Sequence, residues 1–152
     1  MGTIILDKNK VITLKLNPGT YNVLIRITNP NSQFPLLKFE HIYRDILLLK
    51  FYNLDDENSD LYLFNQNHLE KLIDFFQKHT HCLNMVIHCD EGISRSAGVA
   101  VGWFLFKDIK SNIYKLYHDK IHYPNRRVVE FFFKYFNEPI FRIDKWEKEI
   151  FS

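Results

Sequence analysis

Cysteine is scarce in this chain, charge of one sign is lacking, and there is no long apolar run. Two cysteines, Cys82 and Cys89, are too few to staple a secreted domain of 152 residues, so a reducing compartment, the cytoplasm, is expected. No apolar stretch is long enough to cross a bilayer as a helix, and no paired basic and apolar leader segments open the chain. Met1-Gly2 begins as a myristoylation signal does, but Leu6 stands where Ser or Thr is required. A membrane partner is therefore not expected. Lys and Arg number 20 against 18 Asp and Glu, a net charge of +2, which argues against nucleic acid as the main partner. Repeats, low-complexity segments and linkers are also missing, so one domain over residues 1–152 is expected.

What is present suits a globular core. Apolar residues make up 46% of the chain, with 14 Phe and 8 Tyr, so the interior is expected to be rich in aromatic rings. Residues 3–16 alternate apolar and polar and suggest one or two short strands before the turn at Asn17-Pro18-Gly19. Tyr21 to Ile27 reads as a buried strand, and Ile46 to Leu54 as a third, apolar on both faces like a central parallel strand. Asn67 to Lys78 has a helical apolar face, with Asn67 and Glu70 spaced as a capping box. Leu83 to His88 is a fourth strand, and Ser96 to Phe106 a helix apolar nearly all round, with Gly98 and Gly102 as close-packing positions. Ser111 to Lys120 and Arg127 to Phe136 are further helices, and a last turn or short helix is expected around Trp146. The pattern predicts an α/β fold: a central, mainly parallel sheet flanked by helices on both sides.

One stretch carries chemistry. The apolar strand ending at His88 runs into Cys89, and Arg95 and Ser96 follow at the start of the next helix. A short loop between a strand and a helix N-terminus turns backbone N–H groups inward, making an anion cradle. A cysteine at its base would be held as a sulfur anion, and Arg95 can grip two phosphate oxygens through its planar fork. The layout points to nucleophilic phosphoryl transfer through a cysteinyl-phosphate. The acidic run Asp55-Asp56-Glu57-Asn58-Ser59-Asp60 follows a strand, on the same C-terminal sheet edge as Cys89, where a carboxylic acid could protonate a leaving oxygen. Cys82 is expected to be structural, because along an extended strand it lies roughly 20 Å from Cys89, too far for a disulfide.

His88-Cys89-Asp90-Glu91-Gly92-Ile93-Ser94-Arg95-Ser96 resembles the His-Cys-x5-Arg-Ser/Thr signature of the cysteine-dependent protein tyrosine phosphatases, and its Gly-x-Ser-Arg-Ser part is nearest to the dual-specificity branch. Leu54-Asp55-Asp56 is similar to the acid loop of that branch, and Pro124-Asn125 to the start of a late helix. The resemblance implies an α/β/α phosphatase sandwich. It implies Cys89 as nucleophile and Arg95 as phosphate ligand, with the backbone N–H groups of Asp90, Glu91, Gly92, Ile93, Ser94 and Arg95 as the cradle. Asp55 would be general acid and then base, although spacing alone does not separate it from Asp56 and Asp60. Ser96 would ease departure of the sulfur, and His88 would support the loop by hydrogen bonding. No metal and no cofactor is implied. Asp90 and Glu91 place two carboxylates at the mouth, which favours a phosphoprotein over an inositol lipid or RNA. No aromatic pocket-deepening loop is evident, which suits phosphoserine and phosphothreonine as well as phosphotyrosine. A phosphoinositide or RNA phosphatase, or a non-catalytic binder of phosphorylated residues on the same fold, are the competing readings.

Overall fold

The structure, a computed structural model, describes residues 2–54 and 62–151. Strands β1 (Gly2–Leu6), β2 (Asn22–Thr28), β3 (Asp45–Lys50) and β4 (Asn84–His88) form one sheet in the order β1-β4-β2-β3. Every pairing is parallel, with Ile25 opposite both Leu47 and Ile87. All four strands therefore end on one edge. The chemistry-bearing loops leave from that edge.

Alternation within the strands sorts the side chains between two unequal layers. Val23, Ile25, Ile27, Met85 and Ile87 face the larger core, built with helices α2 (Gln66–Lys78), α3 (Arg95–Phe106), α4 (Lys110–Tyr117) and α5 (Arg126–Tyr135). Leu24 and Val86 face a smaller cluster closed by Val11 of helix α1 (Lys8–Thr13) and by Leu14, Leu16, Leu37 and Tyr43. Helices thus flank the sheet on both sides, as the sequence suggests, with one short helix and extended chain on the second face. Burying the larger aromatic core draws most of the helices to one side.

Three local expectations change. Residues 8–13 are helical, not strand: Asp7 accepts the Lys10 N–H at 2.7 Å and caps α1. Only Val11 of that helix needs burial, so a short stretch satisfies alternation and helix alike. β3 stops at Lys50 and is an edge strand with Leu48 53% exposed, so it is not central. The box at the start of α2 uses Asn65 and His68 instead of Asn67 and Glu70. Asn65 Oδ1 accepts from Asn67 N and His68 N, while His68 Nδ1 accepts from Asn65 N at 3.0 Å. A neutral imidazole acts as the acceptor that Glu usually supplies.

Helix α3 is the pillar behind the site, buried along nearly its whole length. Its glycines let α5 approach. A Cβ at Gly98 would sit 3.0 Å from Val128 Cβ, and one at Gly102 2.4 Å from the Phe132 ring. Helix α6 (Phe141–Phe151) closes the far side, where Trp146 packs on Tyr117 and Phe133. Arg126 ties α5 to α6 through Asp144 and Glu147.

Phe132 is fully buried and stacked near Phe76, so it cannot yield to a new methyl. Gly102→Ala should therefore destabilise the fold by about 1–3 kcal/mol through overpacking, despite a helix-propensity gain of about 1 kcal/mol. Urea unfolding of the two chains measures it; equal or higher stability of the variant would disprove the close contact.

Candidate active site

The site is assembled where β2, β3 and β4 end side by side. Cys89 follows β4 directly and is buried, 2% exposed. Its Sγ lies 3.1 Å from Ser96 Oγ and accepts the Gly92 N–H at 3.3 Å. Gly92 has φ of +70°, and a Cβ there would meet the Leu6 carbonyl carbon at 2.6 Å. Only glycine suits that position, for conformation and for space. Lys8 N donates to Asp90 O, so the start of α1 braces the same loop.

Arg95, the first residue of α3, is 5% exposed. Its Nη1 donates to Asn29 Oδ1 and to Phe51 O, both at 2.8 Å, and its Nη2 lies 3.2 Å from Asp90 Oδ2. Nε is buried and has no hydrogen-bond partner among the described residues. A buried, unsatisfied cationic donor is costly unless an anion completes it. The helix adds to this demand. The first N–H groups of α3 lack intrahelical partners, and the Ser94 side chain does not cap them.

His88 lies on the opposite face of β4 and is 1% exposed. Arg26 Nε donates to its Nε2 at 2.9 Å, and its Nδ1 lies 3.3 Å from Cys89 O. An arginine can only donate, so Nε2 is the acceptor and Nδ1 carries the proton toward the Cys89 carbonyl. Burial, reinforced by the Arg26 charge and opposed by the Cys89 carbonyl, pushes the His88 pKa down to about 4. The imidazole is neutral at pH 7 and fixes the backbone at the nucleophile.

A cavity of about 330 Å³ opens over these groups, lined by Cys89, Asp90, Glu91, Ser94 and Arg95 from one side and by Asn29, Tyr52, Asn53 and Leu54 from the other. The sequence-predicted residues Cys89, Asp90, Glu91, Ser94 and Arg95 therefore share one cavity, with Gly92 and Ser96 at the sulfur. Ile93 turns its carbonyl outward, accepting the Tyr123 N–H at 3.0 Å, and Ser94 O accepts the Asn125 N–H at 3.0 Å. Both expected carboxylates, Asp90 and Glu91, line the cavity, but they differ in engagement. Asp90 is engaged by Arg95 and by Thr28 Oγ1 at 3.0 Å, leaving Glu91 as the exposed acid. Asp55, Asp56 and Asp60 lie outside the described residues. The neck leading to them is held at the cavity: Tyr52 N donates to Tyr62 O at 2.8 Å, and Asn125 Nδ2 to Asn53 Oδ1 at 3.0 Å.

Sequence reasoning missed Asn29, Thr28, Phe51 and Arg26. Thr28-Asn29 closes a strand on the same edge as Cys89, and that position was the available signal. The Phe51 carbonyl carries no sequence signal, because any residue supplies it. Cys82 is buried and unpaired, and burial raises its pKa.

The fold is shared with solved phosphatase-type structures. One is the human tyrosine phosphatase-like serine/threonine/tyrosine-interacting protein, with TM-score 0.54 and 18% identity over 88% of this chain and 90% of that one. Another is a single-substitution variant of human DUSP28, with TM-score 0.51 and 14% identity over 86% of this chain and 78% of that one. No protein-family model matches the sequence, and no curated protein does. The structural likeness establishes the α/β fold.

The unfolded chain protonates His88 near pH 6.5, whereas the folded chain resists protonation until about pH 4. Stability from neutral His88 is thus complete above about pH 6.5 and lost as pH falls toward 4, about 3 kcal/mol in all. Wild-type stability should fall across that window, and His88→Asn should flatten the fall. An unchanged slope in chemical denaturation would exclude a buried neutral imidazole.

Proposed function

We propose that the protein is a phosphatase of the dual-specificity type, hydrolysing phosphotyrosine, and in its open cavity also phosphoserine and phosphothreonine, on protein substrates. One observation carries this reading. A buried cysteine sulfur, contacted by a hydroxyl and a backbone N–H, shares a cavity with an arginine whose Nε lacks a partner among the described residues. Binding alone does not require a sulfur nucleophile at the base of an anion site.

In this mechanism Cys89 Sγ attacks phosphorus, and the leaving oxygen takes a proton from Asp55. Arg95 and the N–H groups of the loop hold the equatorial oxygens as charge gathers on them. Asp55 then removes a proton from water, which attacks the phosphocysteine. The departing sulfur is stabilised by the Ser96 hydroxyl, and inorganic phosphate is released. His88 contributes by fixing the Cys89 backbone. Asn125 contributes by tethering Asn53, two positions before Asp55 in the chain.

A second reading has one observation in its favour. A structural neighbour is named as phosphatase-like and interacting, and a binder of phosphorylated residues could use the same cradle. Turnover separates the two.

Wild-type protein should hydrolyse an aryl phosphate without added metal and be inhibited by vanadate, and Cys89→Ser should abolish turnover. Asp55→Ala should lower kcat by about 10²–10⁴-fold with little change in substrate binding. Full activity in Asp55→Ala with loss in Asp56→Ala would move the acid role by one residue. Phosphopeptide binding without any turnover would establish the non-catalytic reading. Rates on phosphopeptide, inositol lipid phosphate and RNA 5′-phosphate, measured side by side, test the substrate class.

A further inference from the structure

Arg95 presents its donors on two edges. Nη1 is committed to Asn29 and Phe51, which lock the guanidinium to the ends of β2 and β3. The remaining edge, formed by Nε and Nη2, is the one a bidentate oxyanion would use. Nε on that edge is unpartnered among the described residues, but Nη2 already faces Asp90 Oδ2 at 3.2 Å. Asp90 does not arrive there by chance of a loose side chain. Its Oδ1 accepts from Thr28 Oγ1 at 3.0 Å, and Thr28 is a 4% exposed residue in the central strand β2.

We propose that Asp90 is a resident carboxylate on the phosphate-binding edge of Arg95, which an oxyanion must displace or share, and that it thereby sets a weak affinity for free phosphate. The inference rests on the phosphatase reading and deepens it, naming the side chain that limits how firmly the product is held. A carboxylate beside a bound dianion is a like-charge contact, and such contacts weaken binding strongly where water is partly excluded. Glu91 differs in kind. It is exposed at the lip, so salt screens it.

Asp90→Asn keeps size and an oxygen for Thr28 while removing the charge. Titration calorimetry of the full chain with inorganic phosphate should give about tenfold tighter binding for Asp90→Asn, and less than about twofold for Glu91→Gln at 0.15 M salt. Competitive inhibition of aryl phosphate hydrolysis by phosphate should strengthen in parallel. Asp90→Ala provides the same comparison if the carboxamide variant does not fold. A purely structural Asp90, needed to hold Arg95 in place, predicts the opposite sign. Unchanged or weaker phosphate binding in the Asp90 variants, with wild type still binding, overturns this inference alone. Absence of phosphate binding and of hydrolysis in wild type and variants together overturns the phosphatase reading with it.

Discussion

Everything at the candidate site depends on how one buried cation is satisfied. Arg95 is almost wholly removed from water, and it begins a helix, where the dipole disfavours positive charge. Its position is tenable because Asn29 and the Phe51 carbonyl reach it from the ends of two neighbouring strands. Those strands are β2 and β3, and β4, which leads into Cys89, lies on the other side of β2. The all-parallel order is thus a condition for the arginine to be held. An antiparallel partner would carry its loop to the wrong edge.

The loop around the sulfur is braced from three directions. Gly92 packs against the backbone at Leu6 and Asp7, Ile93 and Ser94 accept N–H groups of Tyr123 and Asn125, and His88 secures the Cys89 carbonyl from the opposite face. Arg26 sets the His88 tautomer and also reaches the Pro35 carbonyl. A loop that must hold converging dipoles against an anion needs such external support, since N–H groups aimed at the anion are not spent on ordinary backbone pairing. Asn125 does two further things. It caps α5 through Val128 and tethers Asn53, so the late helix and the chain leaving β3 are positioned together.

Much of the fold was legible because the cues were local and agreed with one another. β2, β4 and α3 announce themselves by apolar runs of the right length, and the two α3 glycines announced a close helix contact that α5 supplies. Readings failed where one short pattern fits two structures. Residues 8–13 form a helix because Asp7 caps it, and β3 sits at an edge although its composition suits a centre. The capping box moved by two residues because His68 serves as an acceptor, a role that depends on its neutral imidazole, which partial burial favours.

The sequence by itself determined the local chemistry: a cysteine, a glycine able to take a left-handed turn, an arginine and a serine, at spacings that bring them round a single strand-to-helix loop. Those relations span ten residues or fewer and survive any global arrangement that keeps the loop. What only the tertiary structure decided is which partners that loop meets. Strand order selects Asn29 and Phe51 for Arg95, packing of the second face selects Arg26 for His88, and Thr28 captures Asp90. Each of these joins residues tens of positions apart through a backbone atom or an ordinary polar side chain. The residue types of such groups carry no signature in sequence, because their role comes from position alone.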